Sequence, residues 1–77
     1  MKINILAFGQ MAEVTGKNSW SISDIKTTGE FNRLLLKDFP DLKSINFLIA
    51  VNKKIIREDV ELHHDDTVAL LPPFSGG

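Results

Sequence analysis

Thr27-Thr28-Gly29-Glu30-Phe31-Asn32-Arg33-Leu34-Leu35-Leu36-Lys37-Asp38-Phe39-Pro40 carries the clearest helical signal in this 77-residue sequence. Thr27 stands three residues before Glu30, the spacing of a capping box, in which the threonine hydroxyl satisfies a free N–H of the first turn. Phe31, Leu34, Leu35 and Phe39 recur at i, i+3, i+4 and i+8, which predicts one apolar stripe along the helix. Pro40 ends it, because proline disfavours helical geometry in the residue before it. A striped helix must bury its stripe. The segments on either side read as strands, so a sheet is the expected partner.

Upstream, Ile3, Ile5 and Ala7 fall on one face of a strand over residues 2–8, with Lys2, Asn4, Leu6 and Phe8 on the other. Residues 9–16 read as a short helix that places Met11, Val14 and Thr15 on one side and ends at Gly16, a residue free to take positive φ. Residues 18–23 alternate again, with Trp20 and Ile22 inward. Downstream, residues 45–51 predict a strand with Phe47, Ile49 and Val51 on one face and Leu48 and Ala50 on the other. Asn52-Lys53 supplies a turn into a short return strand at Lys54-Ile55-Ile56, and Val60 and Leu62 anchor a polar connection. Thr67 to Leu71 is the last strand. The first and last strands are the most apolar, so they are expected to lie centrally and to pair. The result is an α+β fold of the ubiquitin-like β-grasp kind: a mixed sheet of four to five strands, one main helix across one face, and a short helix after the first strand. The expected division is a β-grasp domain over residues 1–71 and an extended tail over residues 72–77.

Composition narrows the function. Nine Lys and Arg against ten Asp and Glu give a net charge of −1, which argues against a nucleic-acid footprint and against a polybasic membrane anchor. There is no cysteine, hence no disulfide, thiolate metal site or side-chain thiol nucleophile, and a reducing cytoplasm is the expected location. No apolar run approaches the ~20 residues of a membrane-spanning helix, and no targeting segment, repeat or linker is expected. A chain this small has little room for a deep pocket of convergent polar groups, so a partner-dependent role is favoured over a self-contained enzyme.

The stretch Leu71-Pro72-Pro73-Phe74-Ser75-Gly76-Gly77 is the most informative for function. The two prolines cannot donate to a sheet ladder and favour an extended form. From Pro72 onward the chain could reach ~20 Å beyond the sheet. A frayed terminus is the plain alternative, yet such tails are usually polar and this one keeps a phenylalanine. Two terminal glycines suit a narrow channel in which a Cβ would clash. The reactive group at the end of such a tail is the α-carboxylate of Gly77, which activation through the α-phosphate of ATP would turn into an acyl-adenylate and a sulfur donor into a thiocarboxylate.

On these residues the chain resembles the small subunits of molybdopterin synthase, the MoaD type within the MoaD/ThiS family of β-grasp sulfur carriers. The resemblance rests most on Pro72-Pro73-Phe74-Ser75-Gly76-Gly77. It is supported by Phe8-Gly9 leading to Glu13 and Gly16, by Ala50-Val51-Asn52, and by Asp66 before Val68-Ala69. It implies that Gly77 is adenylated by a ubiquitin-activating-type enzyme, receives sulfur from a persulfide donor system, and carries it as a 1-thioglycine. It implies further that Gly76 lets the tail thread into the large subunit, where sulfur passes to cyclic pyranopterin monophosphate in molybdenum cofactor biosynthesis. No permanently bound cofactor is implied; ATP is consumed by the activating enzyme, and the chain is a non-catalytic subunit. One departure is His64-Asp65-Asp66 where the family commonly has Asp-Gly-Asp; Asp65 then meets a need for positive φ that aspartate tolerates better than most residues.

Leu48, Ala50, Ala69 and Leu71 are expected together on the sheet face away from the helix, forming with Pro73, Phe74 and Ser75 a surface for the partner, and Phe74 is its expected anchor. The pair His63-His64 with Asp65-Asp66 reads as a solvated turn rather than a metal site, since adjacent residues point apart. Lys53, Lys54 and Arg57 form a small basic cluster with a solvated hairpin as the default reading. Three alternatives remain at this level: the related carrier for thiamine thiazole synthesis, a ubiquitin-like modifier that forms an isopeptide bond through Gly77, and a plain interaction domain with an incidental tail.

Overall fold

A computed structural model of the chain describes residues 1–73, and all structural statements concern these. Strand β1 (Lys2–Ala7) leads into helix α1 (Gln10–Thr15), then β2 (Ser19–Ser23), helix α2 (Thr28–Asp38), a 3-10 turn (Pro40–Ser44), β3 (Leu48–Val51), β4 (Lys54–Ile56) and β5 (Thr67–Leu71). The five strands form one sheet in the order β2-β1-β5-β3-β4. β1 and β5 pair in parallel at the centre, and every other pairing is antiparallel. This is the mixed sheet with two helices that the strand pattern predicts, and the two most apolar strands are indeed neighbours.

The inner face carries the core. Ile3, Ile5 and Ala7 of β1 and Val68 and Leu70 of β5 are buried, and they meet Phe31 and Leu35 of α2, Met11 of α1, and Leu42 and Leu62. The register lines up Ile5 with Val68 and Val68 with Val51, then Ala7 with Leu70 and Leu70 with Ile49, so successive inward residues make continuous apolar rows. Trp20 closes one edge, edge-on to Phe39 at 6.2 Å between ring centroids, with Lys17 Nζ 5.5 Å from the Trp20 ring centre.

Helix α2 begins as the sequence predicts: the Glu30 N–H donates to Thr27 Oγ1 at 3.2 Å. A second cap comes from far along the chain. Asp59 Oδ1 accepts from the Gly29 N–H at 2.7 Å and from the Thr28 hydroxyl at 3.2 Å, while Thr28 Oγ1 accepts from the Val60 N–H at 2.9 Å. The carboxylate sits against the positive end of the helix, and with Leu62 N–H donating to Lys26 O at 2.7 Å it staples the connection between β4 and β5 to the helix start. A Cβ on Gly29 would stand 3.0 Å from the Asp59 carboxylate, so a side chain there would push that carboxylate aside.

Two expectations are corrected. The helical stripe runs through Phe31, Leu35, Leu36 and Phe39; Leu36 rather than Leu34 packs against the core, because the 3-10 turn after Pro40 brings Leu42 and Ile45 beneath that side. The strand expected over residues 45–51 is ladder-bonded only from Leu48. Leu48 pairs with Leu71, so in an antiparallel register the residues before Leu48 would pair with Pro72 and Pro73, which have no N–H to donate. Ile45 and Phe47 still pack on the core, but as connection.

Candidate functional site

The outer face of the sheet, away from both helices, divides in two. Ser19, Ser21 and Ser23 of β2 lie opposite Leu6, Asn4 and Lys2, so that half is polar. The other half is apolar, and its central row runs Leu6, Ala69, Ala50, Ile55 across β1, β5, β3 and β4. Two alanines between a leucine and an isoleucine leave a trough. The result is a shallow groove of about 540 Å³ lined by Leu6, Phe8, Ala50, Ile55, Ala69 and Leu71, with Asn52, Lys53 and Thr67 at one end.

Three of the four strand residues expected on this surface line the groove: Ala50, Ala69 and Leu71. Leu48 shares their face opposite Leu71 but lies outside the groove lining. Ala50 is buried rather than exposed, because its short side chain forms the floor. The most exposed apolar side chains around the groove are Phe8, 47% exposed, and Ile55, 38% exposed, neither of which sequence reading assigned to the site. The alternation of β1 already placed Phe8 on this face; Ile55 could not be placed without the β3–β4 register. Apolar side chains standing free around a groove are the surface a partner covers.

The tail leaves from this groove. β5 supplies Thr67, Ala69 and Leu71 to it and is followed at once by Pro72, half-buried, and Pro73, exposed. The expected roles of Phe74, Ser75, Gly76 and Gly77 lie outside the described residues.

The chain matches the ThiS family over residues 5–77. It belongs to that family. A relative from Dictyostelium discoideum named molybdopterin synthase sulfur carrier subunit is 34% identical, with 99% of this chain and 96% of the relative aligned. Among solved structures, a complex of subunits 1 and 2 of the molybdopterin-converting factor from Helicobacter pylori contains a chain that matches this one at a TM-score of 0.73 and 26% identity, each covered in full. Small archaeal modifier protein 1 from Methanosarcina acetivorans shares the fold at a TM-score of 0.82 and 22% identity, covering 99% of this chain and 96% of that one.

In this ThiS-family chain the turns at the far end of the groove are tied together by two side chains. Asn52 Nδ2 donates to Asp66 Oδ1 at 2.9 Å, Asn52 Oδ1 accepts from the Thr67 N–H at 2.9 Å, and Asp66 Oδ2 accepts from the His63 N–H at 2.8 Å. Asn52 and Lys53 have φ of 49° and 74°, and Asp65 has φ of 68°. The turn read from His64-Asp65-Asp66 therefore forms with Asp65 in the left-handed region, as expected. The hydrogen bond from Asn52, then that from the His63 backbone, hold the Asp66 carboxyl below its ordinary pKa, against a smaller opposing effect of burial. His63 Nε2 lies 2.9 Å from Glu61, and His64 Nδ1 accepts from the Lys2 N–H at 3.0 Å. The motif residues Asn52 and Asp66 thus shape the end of the groove, and the histidines tie down the turn. Of the basic cluster, Lys53 borders the groove while Lys54 and Arg57 do not.

Proposed function

We propose that this chain is the sulfur-carrier subunit of a molybdopterin synthase, docking through the outer-face groove and presenting Gly77 from an extended tail over residues 72–77. The observation that carries the reading is the direct run of β5 from the floor of the groove into Pro72-Pro73. A partner seated on the groove is thereby beside the root of the tail, and ~20 Å of extended chain reaches beyond it. The names of the 34%-identical relative and of the two-subunit complex support it.

The chemistry is carboxyl activation. A Gly77 carboxylate oxygen attacks the α-phosphorus of ATP on an adenylating enzyme, expelling pyrophosphate and leaving an acyl-adenylate. A persulfide sulfur then attacks the acyl carbon, and AMP departs with the electron pair of the broken C–O bond. A thiol reductant cleaves the remaining S–S bond to leave the thiocarboxylate. In the large subunit that sulfur passes to cyclic pyranopterin monophosphate, with Gly76 admitting the tail to the narrow approach. The chain itself supplies grip and reach, and the pocket for the reaction belongs to the partner.

The test incubates the chain with the adenylating enzyme, ATP and a persulfide donor and reads the intact mass. Replacement of one oxygen by sulfur at Gly77 is expected, and pyranopterin is expected to convert to molybdopterin once the large subunit is added. Free carboxylate after that incubation, or conversion by a chain lacking Gly77, overturns the reading. Sulfur delivered only to a thiazole synthase would favour the thiamine carrier, and adducts to target lysines a modifier.

A further inference from the structure

The sheet ends in two edges, and they are built differently. At one, β4 is three residues long, begins at Lys54 and lies between Lys53 and Arg57. Short length and charge are devices that keep an edge strand from pairing with another chain. At the other, β2 runs Ser19-Trp20-Ser21-Ile22-Ser23, five residues with no charged side chain and no proline. Two bonds at its ends show which way its backbone groups face. The Ala7 N–H donates to Asn18 O at 2.9 Å and the Asp24 N–H to Met1 O at 3.4 Å, in the register that pairs Ile5 with Trp20 and Ile3 with Ile22. Hydrogen-bonded positions alternate along an antiparallel ladder. Trp20 and Ile22 therefore bond to β1, and Ser19, Ser21 and Ser23 turn both backbone N–H and C=O away from it. All three serines are exposed, and no strand lies beyond them among the described residues.

We propose that β2 is a self-association edge: two copies of this chain join antiparallel about a two-fold axis at Ser21, making one continuous sheet. The strand is its own complement. Around that axis Ser21 exchanges both N–H···O bonds with the partner's Ser21, and Ser19 does so with the partner's Ser23. On the inner face Trp20 stands beside the partner's Ile22, an aromatic and β-branched pair at a position without ladder bonds, where side chains approach most closely. Both residues are half-buried in the single chain, so the join covers apolar surface. Charge agrees. The nearest charged residues flanking β2 are Lys17 before it and Asp24 after it, both exposed. An antiparallel join brings the Lys17 end of each copy to the Asp24 end of the other, whereas a parallel one would set like charges together. The groove takes no residue from β2, so it stays open in the pair. One short strand per copy makes an interface of the small class, below about 1,200 Å² in total, which holds weak and transient pairs.

The proposal does not depend on the sulfur-carrier reading. Sedimentation equilibrium of the wild-type chain from about 10 µM to 1 mM should show monomer and dimer in exchange, with half-association at about 0.1 mM. Hydrogen exchange of the Ser19, Ser21 and Ser23 amides, followed by NMR, should slow as concentration rises through that range. Ser21→Pro removes an N–H that β1 does not use and puts proline where an edge strand accepts it. It should raise the dissociation constant at least about tenfold, with a melting temperature in dilute solution within a few degrees of wild type. Ser21→Lys sets like charges together at the axis and should act in the same direction, less so in high salt. Ile55→Lys, in the groove at the other edge, should leave association unchanged. A chain that is monomeric at about 1 mM, a dimer whose serine amides exchange independently of concentration, or a dimer lost with Ile55→Lys and kept with Ser21→Pro overturns the proposal. Should Ser21→Pro fail to fold by circular dichroism, Ser21→Lys and the wild-type exchange still decide.

Discussion

The two faces of the central strands are read from alternate residues of the same few segments, and they are built to different ends. On the inner face, Ile5, Val68 and Leu70 interlock with Phe31 and Leu35 of α2 and are fully or almost fully buried. On the outer face, the row Leu6, Ala69, Ala50, Ile55 is just as apolar, yet small residues at its centre leave a trough and nothing in the described chain fills it. Both faces would satisfy a count of hydrophobic residues. They differ in side-chain volume: the inner rows are large where the helix meets them, and the outer row is smallest where the groove is deepest. An apolar strand face is therefore not by itself a core face, and the alanines mark the difference.

Truncation should separate the faces. Phe31→Ala, at a ring 1% exposed, should remove about 3–5 kcal/mol, enough to unfold much of the population of a domain this size. The single tryptophan, Trp20, packs against the core and reports it through fluorescence in a urea titration. Phe8→Ala, at a ring 47% exposed, should change stability by less than about 1 kcal/mol. It should instead weaken binding to the large subunit by about 2 kcal/mol, read by calorimetry. If Phe8→Ala destabilises the fold as much as it weakens binding, the outer face is part of the core and the contrast collapses.

The ends of the groove give smaller effects. Asp66→Ala removes the partner of both Asn52 Nδ2 and the His63 N–H, and should destabilise by about 1–2 kcal/mol in thermal melts at neutral pH. In the wild type the Asp66 carboxyl titrates lower when folded than when unfolded. Its stabilisation is then fully present above the unfolded pKa of roughly 3.9 and is lost as pH falls through the lower folded value. The difference between wild type and Asp66→Ala should shrink across that acid window. A difference that persists undiminished below it would remove the ionised carboxylate from the account. The smallest change is a gain: Lys53 holds φ of 74°, and Lys53→Gly should relieve strain by about 0.5 kcal/mol net of the entropy glycine adds to the unfolded chain. Denaturant midpoints read it, and a loss would mean that the Lys53 side chain contributes something glycine cannot replace.

Much of the fold was legible where the signal is local. The Thr27–Glu30 spacing produced the observed cap, Gly16 ends α1 with φ of 73°, and Asp65 takes the left-handed turn. What the sequence concealed involves residues distant along the chain. Asp59 caps α2 from thirty residues away, and no short-range pattern announces it. The start of β3 at Leu48 depends on which residues stand opposite it, and those turn out to lie next to Pro72. Of the candidate site, Ala50, Ala69, Leu71 and Phe8 were legible as to face because alternation assigns one; Ile55 joined them only once the β3–β4 register was known.

The sequence by itself determined that a striped helix covers a sheet, that the first and last strands pair, and that an extended Pro-Pro stretch follows the last of them, because side-chain period and proline chemistry are local properties. Tertiary structure alone decided that β1 and β5 run parallel. That one choice of direction sets the end of β1 beside the end of β5 and roots the tail at the edge of the groove. Strand direction in a sheet is settled by how the whole chain buries its inner face, and no residue of either strand encodes it alone.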